Sequence, residues 1–251
     1  MRPSLGRILA AVATALVVVA VALLLLLEPF YIHAALDASG SAAILGVTPG
    51  EAHRLSDETV AELFVGPGTF AEQWRIACPG GPATSCLATG QRFYDPAEVR
   101  HLQDVRLVLW AFLWLAAAAA VVLILGLINF RRKPAFWRSI ARGAAALAIG
   151  TVVVGVLFEV AFDPMFTLFH ELFFPGGDWA FDPATERLVQ LYPIPFWELT
   201  TTVLAVLILA GSALAWWLAR AQARRGTLRD LAAGAGTAVG QGSPGAAERA
   251  P

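Results

Sequence analysis

The sequence predicts an all-α membrane protein, with four transmembrane helices and an extracytoplasmic cap that has room for short helices and a few strands. Three observations predict it. Hydrophobic residues make up 57% of the 251-residue chain and charged residues only 15%, too apolar a balance for a domain surrounded by water. The excess is concentrated in four apolar runs, 8–27, 107–130, 143–162 and 199–219, each about 20 residues or more and so able to cross roughly 30 Å of hydrocarbon as a helix. The charges between the runs are sided. Arg2 and Arg7, the group Arg131, Arg132, Lys133, Arg138 and Arg142, and the group Arg220, Arg224, Arg225 and Arg229 mark cytoplasmic segments, so both termini are expected inside.

Taken in order, residues 1–29 read as the first span. Arg2 and Arg7 before it and Ala38-Ser39-Gly40 after it also suit a signal peptide, but the apolar core exceeds the roughly 7–15 residues of such a segment, which favours an uncleaved anchor. Residues 30–94 form the outer cap. Thr48-Pro49-Gly50-Glu51 has the spacing of a capping box, and Ser56-Asp57 reads as a second start, so two short helices are expected there, stopped by Gly66-Pro67-Gly68. Cys78 and Cys86 bracket a Pro- and Gly-rich turn; in an oxidising compartment the pair reads as a small disulfide, whereas a redox relay to a quinone would need a second pair that the chain lacks.

Residues 95–130 predict one continuous helix, with Asp95 as N-cap, Pro96 in the first turn and Glu98 at the third position. Residues 131–142 are expected to be a cytoplasmic basic loop, 143–162 the third span, 163–195 an outer segment, and 196–219 the fourth span. The outer segment opens on Asp163-Pro164, which reads as cap plus first turn of a short helix ended by Pro175-Gly176-Gly177; it is too short to span and too apolar for water, which places it at the interface. Residues 220–251 read as a cytoplasmic tail, disordered from about 226. Phe30 and Tyr31, Phe136 and Trp137, Phe196 and Trp197, and Trp216 and Trp217 fall at the ends of the spans, as interfacial aromatic belts do.

Chemistry-bearing residues collect outside: His33, His53, His101, His170 and both cysteines. His101 lies about six residues, or roughly 9 Å, above the start of the second apolar run, at headgroup level, with Glu98 and Asp104 three residues either side of it and able to set its tautomer. It reads either as a solvated interfacial histidine or as a catalytic one. His170 lies in the phenylalanine-rich interfacial segment, where an imidazole costs free energy unless it is hydrogen-bonded, to a backbone carbonyl or to a functional partner. Glu159 is an ionisable group inside the third apolar run; it either pairs with His170 or His101 or reaches the surface. Arg100 and Arg106 flank His101 and either hold a lipid phosphate or anchor the helix.

Several chemistries are excluded. Phe174 stands where a zinc-protease helix beginning at His170-Glu171 would need its second histidine. No Gly-x-Ser-x-Gly elbow and no Gly-rich phosphate loop occur, and the single lysine is Lys133. No ligand spacing recommends a metal site, and no cofactor is expected. The net charge of −1 gives no reason to expect nucleic acid.

The order of motifs resembles the bacterial lipoprotein intramolecular transacylase family: His101-x-x-Asp104-Val105 before the second span, Phe169-His170 followed by Trp179-x-Phe181 after the third, and the apolar stretch from Leu188 to Phe196. The likeness covers roughly residues 5–220. It implies an outward-facing acyltransferase of the bacterial cell membrane that moves the sn-2 acyl chain of a diacylglyceryl-cysteine lipoprotein to the α-amino group of the same cysteine. Exchange of an ester for an amide is downhill, which agrees with the missing nucleotide motif. The implied site has His101 and His170 as the acid/base pair, supported by Asp104, Glu159 and Glu171, with Arg106, Trp179 and Phe181 at the substrate. The implied partners are a diacylated lipoprotein and membrane lipids. Two other classes fit the residues: a non-enzymatic membrane scaffold, and a lipid hydrolase in which water replaces the amine. Self-association is not legible.

Overall fold

The computed structural model describes residues 5–71, 92–177 and 179–241. Cys78 and Cys86, and the stretch expected to hold strands around them, lie outside the described residues. Among the described residues the elements are helices: α1 (Leu5–Leu26), α2 (Pro29–Ser39), α3 (Ser41–Leu45), α4 (Pro49–Phe64), α5 (Pro96–Phe130), α6 (Pro134–Val160), α7 (Phe162–Phe173), α8 (Arg187–Leu191) and α9 (Ile194–Gln241). Of these, α1, α5, α6 and α9 are long and apolar enough to cross a membrane, and the chain is a multi-pass membrane protein. Their outer surfaces carry exposed Trp114, Val121, Ile124, Val153 and Val206, the face a bundle offers to lipid rather than to water.

Within the bundle α6 packs along α9, and α1 lies against α5, α6 and α9. Small residues set the closest crossing: a Cβ on Gly143 of α6 would stand 2.2 Å from the Ala11 carbonyl oxygen of α1. Only a residue without a side chain lets these two backbones meet, the usual device where helices associate in lipid.

The cap is built on α2–α4 and α8. Its core joins Leu36, Leu55, Phe70, Phe93, Leu102, Leu191 and Tyr192, so residues far apart in the chain share one apolar cluster with the top of α5. The hydroxyls inside are satisfied: Ser41 donates to the Leu191 carbonyl at 2.7 Å, Ser56 meets the Tyr192 hydroxyl at 2.9 Å, and Thr59 meets the Tyr94 hydroxyl at 2.8 Å. Three side chains on one face of α5 fasten the end of α4 and the turn after it. Trp110 Nε1 donates to the Leu63 carbonyl at 3.0 Å and Gln103 Nε2 to the Gly68 carbonyl at 3.1 Å, while the Arg106 guanidinium donates to the Glu62 carbonyl. Facing α2 and α4 also exchange partners: the His33 and His53 rings stack at 4.2 Å, His33 bonded to Asp57 and His53 to Asp37, each at 2.8 Å.

Four expectations are revised. Ser56-Asp57 does not start a new helix; α4 runs unbroken from Pro49 to Phe64, because Ser56 is buried and its hydroxyl is used by Tyr192. The expected loop 131–142 is largely helix, since Pro134 occupies the first turn of α6 and starts it well before the apolar run. Asp163 does not cap α7: Ala161 is the N-cap residue and Asp163 sits in the first turn, where its charge still favours the helix N-terminus. Finally, α9 continues to Gln241 instead of being disordered from about 226, since a helix already nucleated propagates more readily than a new one starts.

Replacing Gly143 by Ala should force α1 and α6 apart and cost about 1–3 kcal/mol, read as a lower Tm of the detergent-solubilised protein. Gly150→Ala, with nothing within 4 Å of the added carbon, should leave Tm unchanged or raise it slightly. Equal loss in both variants would remove the close approach as the cause.

Candidate active site

The site is assembled from the top of α5, from α7 and from the loop that follows α7. Asp95 caps α5 by accepting from the backbone N–H groups of Ala97 and Glu98 at 2.7 and 2.8 Å, and Glu98 accepts from the Asp95 N–H at 2.7 Å, closing the box. The second oxygen of Glu98 accepts from the Leu188 N–H at 2.6 Å. Glu98 is 1% exposed. Its carboxylate therefore joins the start of α5 to α8 and does not serve as the orienting partner of His101 that its spacing suggested.

Less than a turn beyond Glu98, His101 faces His170 of α7 with ring centroids 6.0 Å apart and planes inclined by 27°. Both are nearly enclosed, at 7% and 8% exposure. The enclosure is aromatic. Phe174 touches both rings, at 4.9 Å from His101 and 5.7 Å from His170. Phe181 packs edge-on to His101 at 5.5 Å, Trp179 lies 5.0 Å from His170, and Phe166 and Phe169 cover the remaining faces of His170 at 4.1 and 5.3 Å. Helical periodicity explains the set: Phe166, His170 and Phe174 follow one another at four-residue intervals and so share a face.

The His170 Nδ1 lies 2.8 Å from the Phe166 carbonyl oxygen. A carbonyl can only accept, so Nδ1 carries the proton, and in the neutral ring Nε2 keeps its lone pair. Burial lowers the pKa of His170 below its ordinary 6.5, opposed by the Phe166 carbonyl, which favours the charged form. The neutral form with a basic Nε2 thus prevails at neutral pH.

The structure brings together His101, His170, Trp179 and Phe181 of the residues singled out from the sequence. It does not bring the carboxylates to them. Asp104 and Glu171 are exposed and make no hydrogen bond or ion pair among the described residues. Glu159 is exposed and accepts from the Thr202 hydroxyl at 2.8 Å; its place on α6, at a level with α9, gives it Thr202 instead of an imidazole. Arg106 points to the end of α4, where it anchors the cap. No cluster of three or more metal-ligating side chains occurs among the described residues. Sequence reasoning did not single out Phe174 as the wall shared by both histidines, nor the Phe166 carbonyl as the group that sets the tautomer of His170. The four-residue spacing was the available signal for both.

The arrangement has two imidazoles, one with a fixed basic nitrogen, within reach of a single small group, in a water-poor aromatic setting. It suits proton transfer during acyl chemistry on an apolar substrate.

His170 in the native protein binds a proton only below the pKa of the unfolded chain. As pH falls below about 6.5, the unfolded state takes up protons first and stability declines, whereas above it this histidine adds no pH dependence. Nitrogen-15 spectra of histidine-labelled protein in micelles should show one imidazole titrating below 6.5 that disappears in His170→Asn; titration at or above 6.5 contradicts the burial argument.

Residues 80–197 match the family described as lipoprotein intramolecular transacylase Lit. An uncharacterized protein of Aquifex aeolicus (strain VF5) is 27% identical over 122 residues, 48% of this chain and 54% of that protein, so the match spans about half the length of that curated relative. The in meso structure of the membrane integral lipoprotein intramolecular transacylase Lit from Bacillus cereus superposes with a TM-score of 0.73 at 18% identity, covering 89% of this chain and 97% of that one. A structure of the same protein with one histidine replaced by arginine gives 0.68, at 18% identity, over 90% and 93% of the two chains. These structures share the fold of this chain.

Proposed function

We propose that this chain, whose residues 80–197 match the lipoprotein intramolecular transacylase family, moves the sn-2 acyl chain of a diacylglyceryl-cysteine onto the α-amino group of that cysteine. The observation that carries the reading is the 6.0 Å approach of His101 and His170. These residues come from different helices and are joined by nothing in the local sequence.

The chemistry divides between two rings. The substrate ammonium first gives a proton to solvent. The amine then attacks the ester carbonyl carbon, and the carbon–oxygen bond to the glycerol breaks. The second amine proton goes to Nε2 of His170, and the departing glycerol oxygen takes one from His101. The products are an N-acyl cysteine and a free sn-2 hydroxyl, and a return of the proton between the rings restores the site. Each task suits a group that titrates near neutrality. Because nucleophile and ester belong to one molecule, holding it folded converts the reaction to a ring closure with a high effective molarity. Phe174, Trp179 and Phe181 would exclude water, so that the ester carbonyl meets the amine rather than a hydrolytic water. The carboxylates Asp104, Glu159 and Glu171 have no part in the proposed proton path.

The proposed setting is a bacterial cell membrane with both termini in the cytoplasm and the histidines outside. The basic residues support that orientation, and so does a substrate that carries its lipid on the outer face.

Expressed beside a diacylated lipoprotein in cells lacking other N-acylating activity, the protein should yield N-acylated, lyso-form N-terminal peptides by mass spectrometry. His170→Ala and His101→Ala should each lower that yield by about 10²–10⁴-fold with the protein still folded. Full retention in both variants refutes the two-histidine assignment. Free fatty acid in place of the N-acyl product would convert the reading to a hydrolase.

A further inference from the structure

A cavity of about 650 Å³ lies away from the histidines, at the opposite end of the bundle, between the first turns of α6 and the far part of α9. Four guanidinium groups line it: Arg138 and Arg142 from α6, Arg220 and Arg224 from α9. Each pair is spaced by one helical turn, so all four turn toward the same seam. Ala141 and Ala223, both buried, also line it, and their small side chains leave the space open. No acidic side chain lines the cavity, and none of the four arginines forms an ion pair among the described residues.

We infer that this cavity is a binding site for the headgroup of an anionic phospholipid in the leaflet at that end of the protein. Four positive charges around one hollow, with no acidic side chain in its lining, repel one another and call for an anion, and the planar fork of arginine fits phosphate oxygens in pairs. The position selects a lipid over a free phosphate. The cavity opens on two membrane-spanning helices, with Trp216 on its wall and the Arg220 guanidinium 4.8 Å from that ring. An indole marks the depth where headgroup meets acyl chain. A lipid phosphate can sit among the arginines while its chains lie along the apolar surface toward the bundle centre; basic pockets between spans suit such headgroups. This site is separate from the histidines and stands whether or not the proposed reaction does.

The test uses the full-length protein in neutral detergent, with phosphatidylglycerol, phosphatidylcholine and inorganic phosphate as probes, read by native mass spectrometry and by the lipid-dependent rise in Tm. Phosphatidylglycerol should bind at least tenfold more tightly than phosphatidylcholine, and millimolar inorganic phosphate should not displace it. R142Q/R224Q should weaken phosphatidylglycerol binding at least tenfold. Should the double variant not fold, R138Q and R220Q singly should each weaken it severalfold. R225Q/R229Q, whose arginines lie off the cavity, should bind within twofold of the parent. The inference is overturned by equal binding of the two lipids, by undiminished binding in the cavity variants, by equal loss in R225Q/R229Q, or by displacement with inorganic phosphate, which would make the site one for free anions.

Discussion

The carboxylate of Glu98 holds two distant parts of the chain at once. One oxygen completes the capping box that starts α5, and the other accepts the backbone N–H of Leu188, at the start of the short helix before α9. The buried Leu188 N–H would be unpaired without it, and a buried N–H left alone costs about 1–3 kcal/mol. The clasp fixes where α5 begins relative to the loop that carries Trp179 and Phe181. His101 follows on the same rigid helix, so the depth and direction of its ring are inherited from the clasp.

The cap is fastened to that same helix lower down. Gln103, Arg106 and Trp110 hold the end of α4 and the turn after it, and the apolar cluster from Leu36 to Tyr192 closes the gap between them. One helix therefore carries half of the histidine pair, the attachment of the cap and a membrane span. The arrangement suits acyl chemistry at an interface, where the reacting group must be held at a set height above the hydrocarbon while the rest of the substrate remains in lipid or in water.

His170 is held by a different device. Its partner is the carbonyl of its own helix one turn earlier, a bond that needs no tertiary contact. Tertiary packing supplies only the aromatic surroundings and the approach of His101. The two ends of the bundle thus differ in kind. At the histidine end aromatic rings surround the imidazoles, whereas at the other end four arginines gather with no ion pair among the described residues. A bilayer accommodates both, because its hydrocarbon separates them and each interface supplies its own polar partners.

The four spans, the rod-like start of α5 at Asp95-Pro96 and the short helix α7 between the third and fourth spans were legible in the chain, because apolar runs, helix caps and short aromatic segments act locally and need no knowledge of what lies opposite. The candidates His101, His170, Trp179 and Phe181 were legible for the same reason: their height relative to the spans follows from counting residues. Partners were not legible. Spacing placed Glu98 beside His101, but the fold turned its carboxylate to Leu188; it placed Glu159 near the histidines, but α9 presented Thr202; and it left Arg106 open between lipid and anchor until the Glu62 carbonyl at the end of α4 accepted its hydrogen bond. The start of α6 and the length of α9 were likewise misplaced, since hydropathy reports where a helix is in lipid and not where it ends. Local sequence determined that the spans exist and roughly where in the chain they fall. Only the packing of elements distant in the chain decided which polar group meets which, because a hydrogen bond depends on the nearest available acceptor in space.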